Sequence, residues 1–287
     1  MTTITRLFIT VLIVTVSTLN AQDFQGVATY RTQTKFDLKM DSTKMKDAMQ
    51  TKIIEMMKKQ FQKTYKLTFN KSTSLYQQEA ELDKPQVGGS DFVISMGNSG
   101  SDVLYKNVKT QSYIDQKETM GKKFLIKDTI SKIKWHLASE SKYIGEYLCF
   151  KATYTKQVPK MKSLSFSTNP NTDNKKETEE DEKPELENRV VTAWYTPQIP
   201  VNNGPAKYQG LPGLILEIHD GKLTIICSKI VINPEEKIEI SQPEKGKEVN
   251  QTEYDDIMEK KAKEMMERFA PKKGGKRGDS FEIIIGG

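Results

Sequence analysis

Histidine and cysteine, which carry much of nucleophilic and metal chemistry, are nearly missing from this 287-residue chain, with two of each. The histidines stand in "KWHLASE" (His136) and "EIHDG" (His219). Neither lies in an HExxH, GxSxG or phosphate-loop context, so the common hydrolase and nucleotide signatures are excluded. Cys149 and Cys227 are too few to hold a metal without further ligands. The stretches "GGSD" and "GNSGSD", near residues 88–102, lack the strand-to-helix setting of a phosphate cradle and read as loops. Long apolar runs are also missing. Beyond residue 21 nothing approaches the about 20 apolar residues that a membrane-spanning helix needs. The formal net charge is +6, from 44 basic and 38 acidic residues, and no stretch concentrates it into the basic face that nucleic acid requires.

What is present begins at the N-terminus. Residues 1–6 carry one positive charge, 7–18 are apolar or hydroxyl-bearing, and 19–21 end on the small residue Ala21. This pattern predicts a secretory signal peptide over 1–21, cleaved near Ala21, and a periplasmic or extracellular chain that does not span the membrane. No cysteine adjoins the cleavage point, which excludes a lipid-anchored cysteine. Export would place Cys149 and Cys227 where thiols oxidise, leaving two readings open: a disulfide, or two small buried thiols on different strands. In either reading the pair is expected to face one interior layer.

Short stretches rich in aromatic and β-branched residues, bounded by polar or glycine turns, predict strands at 26–34, 65–69, 73–77, 103–107, 112–116, 123–127, 147–155, 190–195, 215–219, 223–232 and 281–285. Close spacing favours antiparallel pairing. Two amphipathic stretches, near 43–63 and 251–269, predict helices. The expected fold is mainly β, or β-rich α+β: a curved antiparallel sheet, open barrel or sandwich with two Met-rich helices packed on it. Residues 22–287 then form one domain. It carries the helical insertion near 43–63, an acidic flexible loop near 169–188 ("NTDNKKETEEDEKPELE", 171–187), and a helix plus basic linker near 251–280. The methionines concentrate in the two helical stretches, and thioethers bind Cu(I), which makes Met45, Met49, Met56, Met258 and Met265 candidate copper ligands. Packing explains them better, because methionine is a good helix former and an adaptable apolar filler. No cofactor is implied.

Turn chemistry is densest in "YQGLPGLILEIHDGKLTIIC", residues 208–227. Leu211-Pro212-Gly213-Leu214 suits a type II turn, with positive φ at Gly213. Asp220-Gly221 then suits a type I′ hairpin loop between two strands. Glu217 and His219 share a strand face, which makes a small acid–base or metal site possible on chemical grounds, although nothing nearby in sequence completes it.

Gly210, Leu211, Pro212, Gly213, Leu214 and Ile215 spell "GLPGLI". With "AWYTPQIPVNNGPAKYQ" before it and "IGEYLCFKATY" farther upstream, the chain resembles the GLPGLI family of exported proteins of Gram-negative bacteria. The resemblance covers residues 24–232. The family's usual Gly-Tyr ahead of the cysteine here reads Gly145-Glu146-Tyr147. The resemblance implies export and a β-rich fold, and brings no activity, cofactor or catalytic residue. The expected role is that of a non-enzymatic envelope protein binding a lipid-like or apolar ligand, or an envelope protein partner. The alternative is an exported hydrolase or a metal-handling (copper) protein, with His219 and Glu217 as the hydrolase candidates.

Overall fold

The computed structural model describes residues 24–35, 62–79, 102–159, 185–236 and 238–269. Its strands are β1 (Gln25–Thr34), β2 (Thr64–Asn70), β3 (Thr73–Gln78), β4 (Val103–Asn107), β5 (Ser112–Thr119), β6 (Lys122–Thr129), β7 (His136–Ile144), β8 (Tyr147–Pro159), β9 (Leu186–Thr196), β10 (Leu214–Asp220), β11 (Leu223–Ile232) and β12 (Lys247–Val249), followed by helix α1 (Gln251–Phe269). All twelve strands belong to one sheet, in the order β12-β6-β5-β4-β3-β2-β1-β11-β10-β9-β8-β7. It consists of two antiparallel meanders, β1 to β6 and β7 to β11, joined where β1 pairs with β11. The short β12 adds to β6 in parallel.

Chain length forces this sheet to roll. β6 and β7 lie ten strand spacings apart in that order, which is about 48 Å in a flat sheet. Only six residues, 130–135, connect them, and such a connector reaches about 25 Å at most. The two ends of the sheet must therefore curve toward each other. Among the described residues the two ends do not hydrogen-bond to each other, and the roll is open along a seam.

Strand register identifies the inner face. Gly26, Ala28 and Tyr30 align with Phe69, Leu67 and Tyr65, and the same phase runs through Tyr76, Leu104, Tyr113, Ile126 and Phe124 on one side. On the other side it runs through Ile225, Ile218, Ala193 and Ala152. Apart from Tyr65, which is half-buried, these residues are buried and form one core. Alternation of apolar with polar residues thus becomes a face buried in the roll and a face turned to water.

Helix α1 closes the β6 end. Asn250 Oδ1 accepts the Glu253 backbone N–H at 2.8 Å while Glu253 Oε2 accepts that of Asn250 at 2.9 Å, a reciprocal cap that starts the helix. Tyr254 packs edge-on against Phe124, with ring centroids 5.5 Å apart, and Ile257 and Met258 rest on the core.

Several expectations change. Of the expected alternatives, one curved open sheet, rolled but not closed, is found rather than a sandwich, and a single helix is described in place of two Met-rich ones. The stretch 43–63 lies outside the described residues except for 62 and 63, which are not helical. Residues 1–21, the basic linker and the strand at 281–285 also lie outside them. The acidic segment ends sooner than expected, because β9 already starts at Leu186. The β10–β11 hairpin forms as expected, but Asp220 pairs with Leu223, so its loop is Gly221-Lys222. Positive φ occurs there at Gly221 alone (60°), as a type II′ loop requires. Type I′ signs appear instead at Met120-Gly121, with φ 51° and 71°. The extra Glu146 is absorbed in the β7–β8 turn, where Ile144 pairs with Tyr147 and Gly145 has φ 60°.

Candidate ligand-binding site

The connection from β9 to β10, residues 197–213, holds most of the GLPGLI signature and packs into the interior of the roll. Ile199, Val201, Asn203 and Leu211 are all buried. A buried loop has no ladder to satisfy its backbone, so its polar groups need individual partners. Tight local bonds supply some of them: Val201 N–H to Ile199 O and Asn203 N–H to Val201 O, both 2.8 Å. Residues outside the loop supply others. Lys106, on the inner face of β4, donates its Nζ to Gly204 O at 2.7 Å and more weakly to Tyr208 O at 3.5 Å. Tyr30 donates its hydroxyl to Ile215 O at 2.7 Å, and the Trp135 indole donates to Gln209 O at 2.8 Å. Lys106 is completely buried, and that burial pulls its ammonium from 10.5 down to about 7.

The signature glycines serve close approach as much as turn geometry. A Cβ at Gly213 would sit 2.1 Å from the carbonyl oxygen of Thr196, and one at Gly204 would sit 2.8 Å from the Ile215 Cβ. Positive φ, expected at Gly213, falls instead at Gly210 (101°). Pro212 and Gly213 therefore do not form the expected type II turn, which needs positive φ at Gly213.

Where this loop reaches the seam, the structure leaves a cleft of ≈ 420 Å³. One wall is the end of β6 and the connector, with Asp128, Thr129, Ile130, Ser131 and Ile133; across from it stand Tyr154 and Lys156 of β8. Tyr113, Lys207, Tyr208 and Gln251 complete the lining. Trp135 backs the Tyr154 ring edge-on at 4.8 Å. The polar groups are tied together except for Asp220 Oδ1, which is buried without a partner among the described residues. Asp220 accepts the Tyr208 hydroxyl at 2.6 Å and the Lys156 ammonium on the same oxygen. Gln251 Oε1 accepts both the Tyr113 hydroxyl (2.8 Å) and Lys207 Nζ (2.9 Å). Lys207 Nζ also lies 4.1 Å from the Tyr113 ring centroid, a cation–π contact. Burial lowers the Lys207 pKa, and burial followed by the bond to Asp220 raises that of Tyr208. Asp128 is held below the usual carboxylate range by the backbone N–H groups of Thr129 and Gln251.

The residues singled out in sequence lie elsewhere. Glu217 and His219 do share a face, but it is the outer one. His219 Nε2 contacts Glu217 Oε1, and Nδ1 lies 3.2 Å from Thr224 Oγ1. Lys142 from β7 completes the cluster, with Nζ 2.8 Å from both Glu217 oxygens and 4.4 Å from the Trp194 ring centroid. None of these residues lines the seam cleft. His136 stands at the exposed start of β7. Cys149 and Cys227 are unbridged. Cys149 is fully buried within the core, and Cys227 packs against the same core, partly buried. Burial pushes their thiols up, Cys149 to about 11 and Cys227 to about 12, which makes both poor nucleophiles. Among the described residues no group of three or more His, Cys, Asp or Glu is arranged to hold a metal. Met45, Met49 and Met56 lie outside the described residues, as does the side chain of Met265, while Met258 packs on the core. No described helix is long and apolar enough to cross a membrane.

Sequence reasoning missed Lys106, Tyr113, Asp128, Tyr154, Lys156 and Lys207 as site residues. Lys106 left a signal, because it shares the strand phase of the apolar Leu104. The others come together only through the roll.

Comparison with known proteins adds one family and one distant structure. Residues 135–217 match the family described as "Protein of unknown function (Porph_ging)", a segment running from Trp135 through β7, β8, β9 and the buried loop into β10. No curated protein matches the chain. Among solved structures, PNGF-II in space groups C2 and P21 is similar at 14% identity and a TM-score of 0.46, over 83% and 82% of this chain and 33% of that one. The chain thus spans about a third of PNGF-II's length, and a likeness this slight carries nothing about function.

Proposed function

We propose that this chain is a non-enzymatic binding protein of the cell envelope, of the GLPGLI type, exported by a signal peptide cleaved near Ala21. Its ligand, apolar or amphipathic, occupies the seam cleft. The observation that supports this reading is the cleft's composition and place: tyrosine rings and isoleucines wall it, where a rolled sheet is left open. Its volume of ≈ 420 Å³ falls within the roughly 300–1,000 Å³ usual for small-molecule sites. Its acids are engaged by cations, hydroxyls or backbone N–H groups, an arrangement suited to holding a ligand in place. Native mass spectrometry of protein purified from the periplasm tests the reading. A bound mass that organic extraction removes, and that an Ile133→Arg variant never carries, is the expected result. Identical masses before and after extraction would count against it.

A second reading, a hydrolase centred on His219, is favoured by the His219–Glu217 contact and by Thr224 at the other ring nitrogen. Ester hydrolysis by the wild type that disappears in His219→Ala would put this reading first.

A further inference from the structure

We propose that residues 204–210, the middle of the buried loop, form a latch that lifts out of the roll when Lys106 takes up a proton, while the sheet stays folded. The latch is a property of the free chain. As a gate on the seam cleft it rests on the binding reading above and adds its regulation.

The flanks and the middle of the loop are held differently. On the flanks Ile199, Val201 and Leu211 belong to the core, and Ile199 O and Asn203 O accept the backbone N–H groups of Leu214 and Ile215 at 2.9 and 3.0 Å. Within 204–210 the only buried side chains are those of Pro205 and Gln209. Polar clips tie this stretch to its surroundings instead: Lys106 Nζ to Gly204 O and Tyr208 O, the Trp135 indole to Gln209 O, the Tyr208 hydroxyl to Asp220, and Lys207 Nζ to Gln251. The seat is incompletely satisfied. Asn203 Nδ2, Gln209 Oε1, Asp220 Oδ1 and Ser74 Oγ, which register places opposite Lys106, are buried with no hydrogen-bond partner among the described residues. Each such atom favours a state in which water reaches it. Glycines bound the stretch, and Gly210 has φ 101°.

Lys106 is the clip that titrates. Register sets it between Ser74 of β3 and Tyr113 of β5, and Gly204 and Tyr208 face it from the loop. No carboxylate offsets its charge, and burial alone lowers it to about 7. Tyr113 and Tyr208, the titratable groups that face it, are raised by burial and stay neutral. Seated, the lysine therefore favours its neutral form; lifted into water, it keeps its proton up to its ordinary 10.5. Lowering the pH between those two values shifts the equilibrium toward the lifted form by up to about tenfold per unit, and below about 7 no further. Lifting takes Lys207 and Tyr208 out of the wall of the seam cleft. It also takes Gly210 from a second pocket of ≈ 380 Å³, lined besides by Pro200, Asn202, Leu211 and Pro212.

Hydrogen exchange of the ligand-free full chain tests the latch, measured by mass spectrometry between about pH 9 and 7 and corrected for the intrinsic pH dependence of amide exchange. The reporters are Tyr208 and Gly210, whose backbone N–H groups are bonded to Pro205 O and Asn202 Oδ1. They are expected to be at least about tenfold less protected than the amides of β1 and β11, the mark of a local opening. Their protection should fall by up to about tenfold for each pH unit lowered. Lys106→Met should flatten that slope. Because methionine also deprives two carbonyls of a donor, Trp135→Phe is the second variant: it removes a clip that does not titrate, so protection should fall and the slope persist. A slope that survives Lys106→Met would assign the response to Lys207, which burial also lowers, and would overturn the proposal. Equal protection of the stretch and the sheet, or a flat profile in the wild type, would overturn it as well. None of these outcomes touches the binding reading, whose ligand is absent from the experiment.

Discussion

Strand β10 carries two lysine–carboxylate pairs three residues apart, on opposite faces of the sheet. On the outer face Glu217 meets Lys142, with 7% and 36% of their side chains exposed; on the inner face Asp220 meets Lys156, with 10% and 32% exposed. By residue type, burial and partner the pairs are nearly equivalent. Their surroundings are not. Glu217 and Lys142 lie on an open sheet surface beside His219, and the tryptophan ring under Lys142 adds a contact without adding a cavity. Lys156, which Asp220 holds, lines a cleft whose other walls come from β5, the end of β6, the β6–β7 connector, the buried loop and α1. Suggestive side chains in one strand thus identify a site only when the fold encloses a volume beside them, and here it does so on the face where sequence drew less notice.

The contrast sharpens most if the buried loop is disturbed. Gly213→Ala drives a methyl group into the Thr196 carbonyl, where neither backbone can easily yield. The expected destabilisation is about 3 kcal/mol, the upper range for overpacking, and urea denaturation measures it. A loss below about 1 kcal/mol would show that the loop relaxes, and the inner face would then be no more demanding than the outer one.

A second test uses pH. The folded-state pKa of Lys106 lies below its unfolded value, so below about 7 the lysine is charged in both states and the fold bears the full cost of that buried charge. Between about 7 and 10.5 the unfolded chain binds the extra proton, so stability rises with pH through this window. The thiols act in the opposite direction only above their ordinary value of 9.0, while Lys207, also lowered by burial, acts in the same direction as Lys106, so over pH 7 to 9 the comparison with a Lys106 variant isolates the Lys106 share. The measurement is urea midpoints across that interval, and Lys106→Met should flatten the rise. An unchanged slope in the variant would assign it to another group. The smallest effect belongs to the outer face: His219→Gln, at a side chain 46% exposed, should shift stability by less than about 0.5 kcal/mol in thermal or urea melts.

Strands whose two faces differ were readable, as at β1, where Gly26, Ala28 and Tyr30 alternate with half-buried neighbours. β7 was not, because as an exposed edge "HLASESKYI" has no buried side to impose alternation. β12 is too short, at three residues, to show any period. In the loop, glycine at 213 was readable as a constraint, yet its reason was mistaken. Local sequence suggests a dihedral, while the actual cause is the Thr196 backbone, brought alongside by tertiary packing. The cleft lysines were illegible for a related reason. A lysine in a strand normally marks the wet face, and only the curvature imposed by a six-residue connector turns Lys156 toward a seam.

The pairing of β1 with β11 also bears on how the molecule assembles. Gln25 bonds to Asn233 across 208 residues of chain, whereas most other strand pairs join sequence neighbours. Each meander can zip along its own hairpins soon after it is made, but the join must wait for nearly the whole described chain, and contacts of such separation form slowly. Until β11 arrives, β1 presents an unpaired backbone edge, the kind of surface on which unwanted strand addition begins. The first meander therefore stays exposed to aggregation from the time β1 pairs with β2 until Leu223–Ile232 covers its open side.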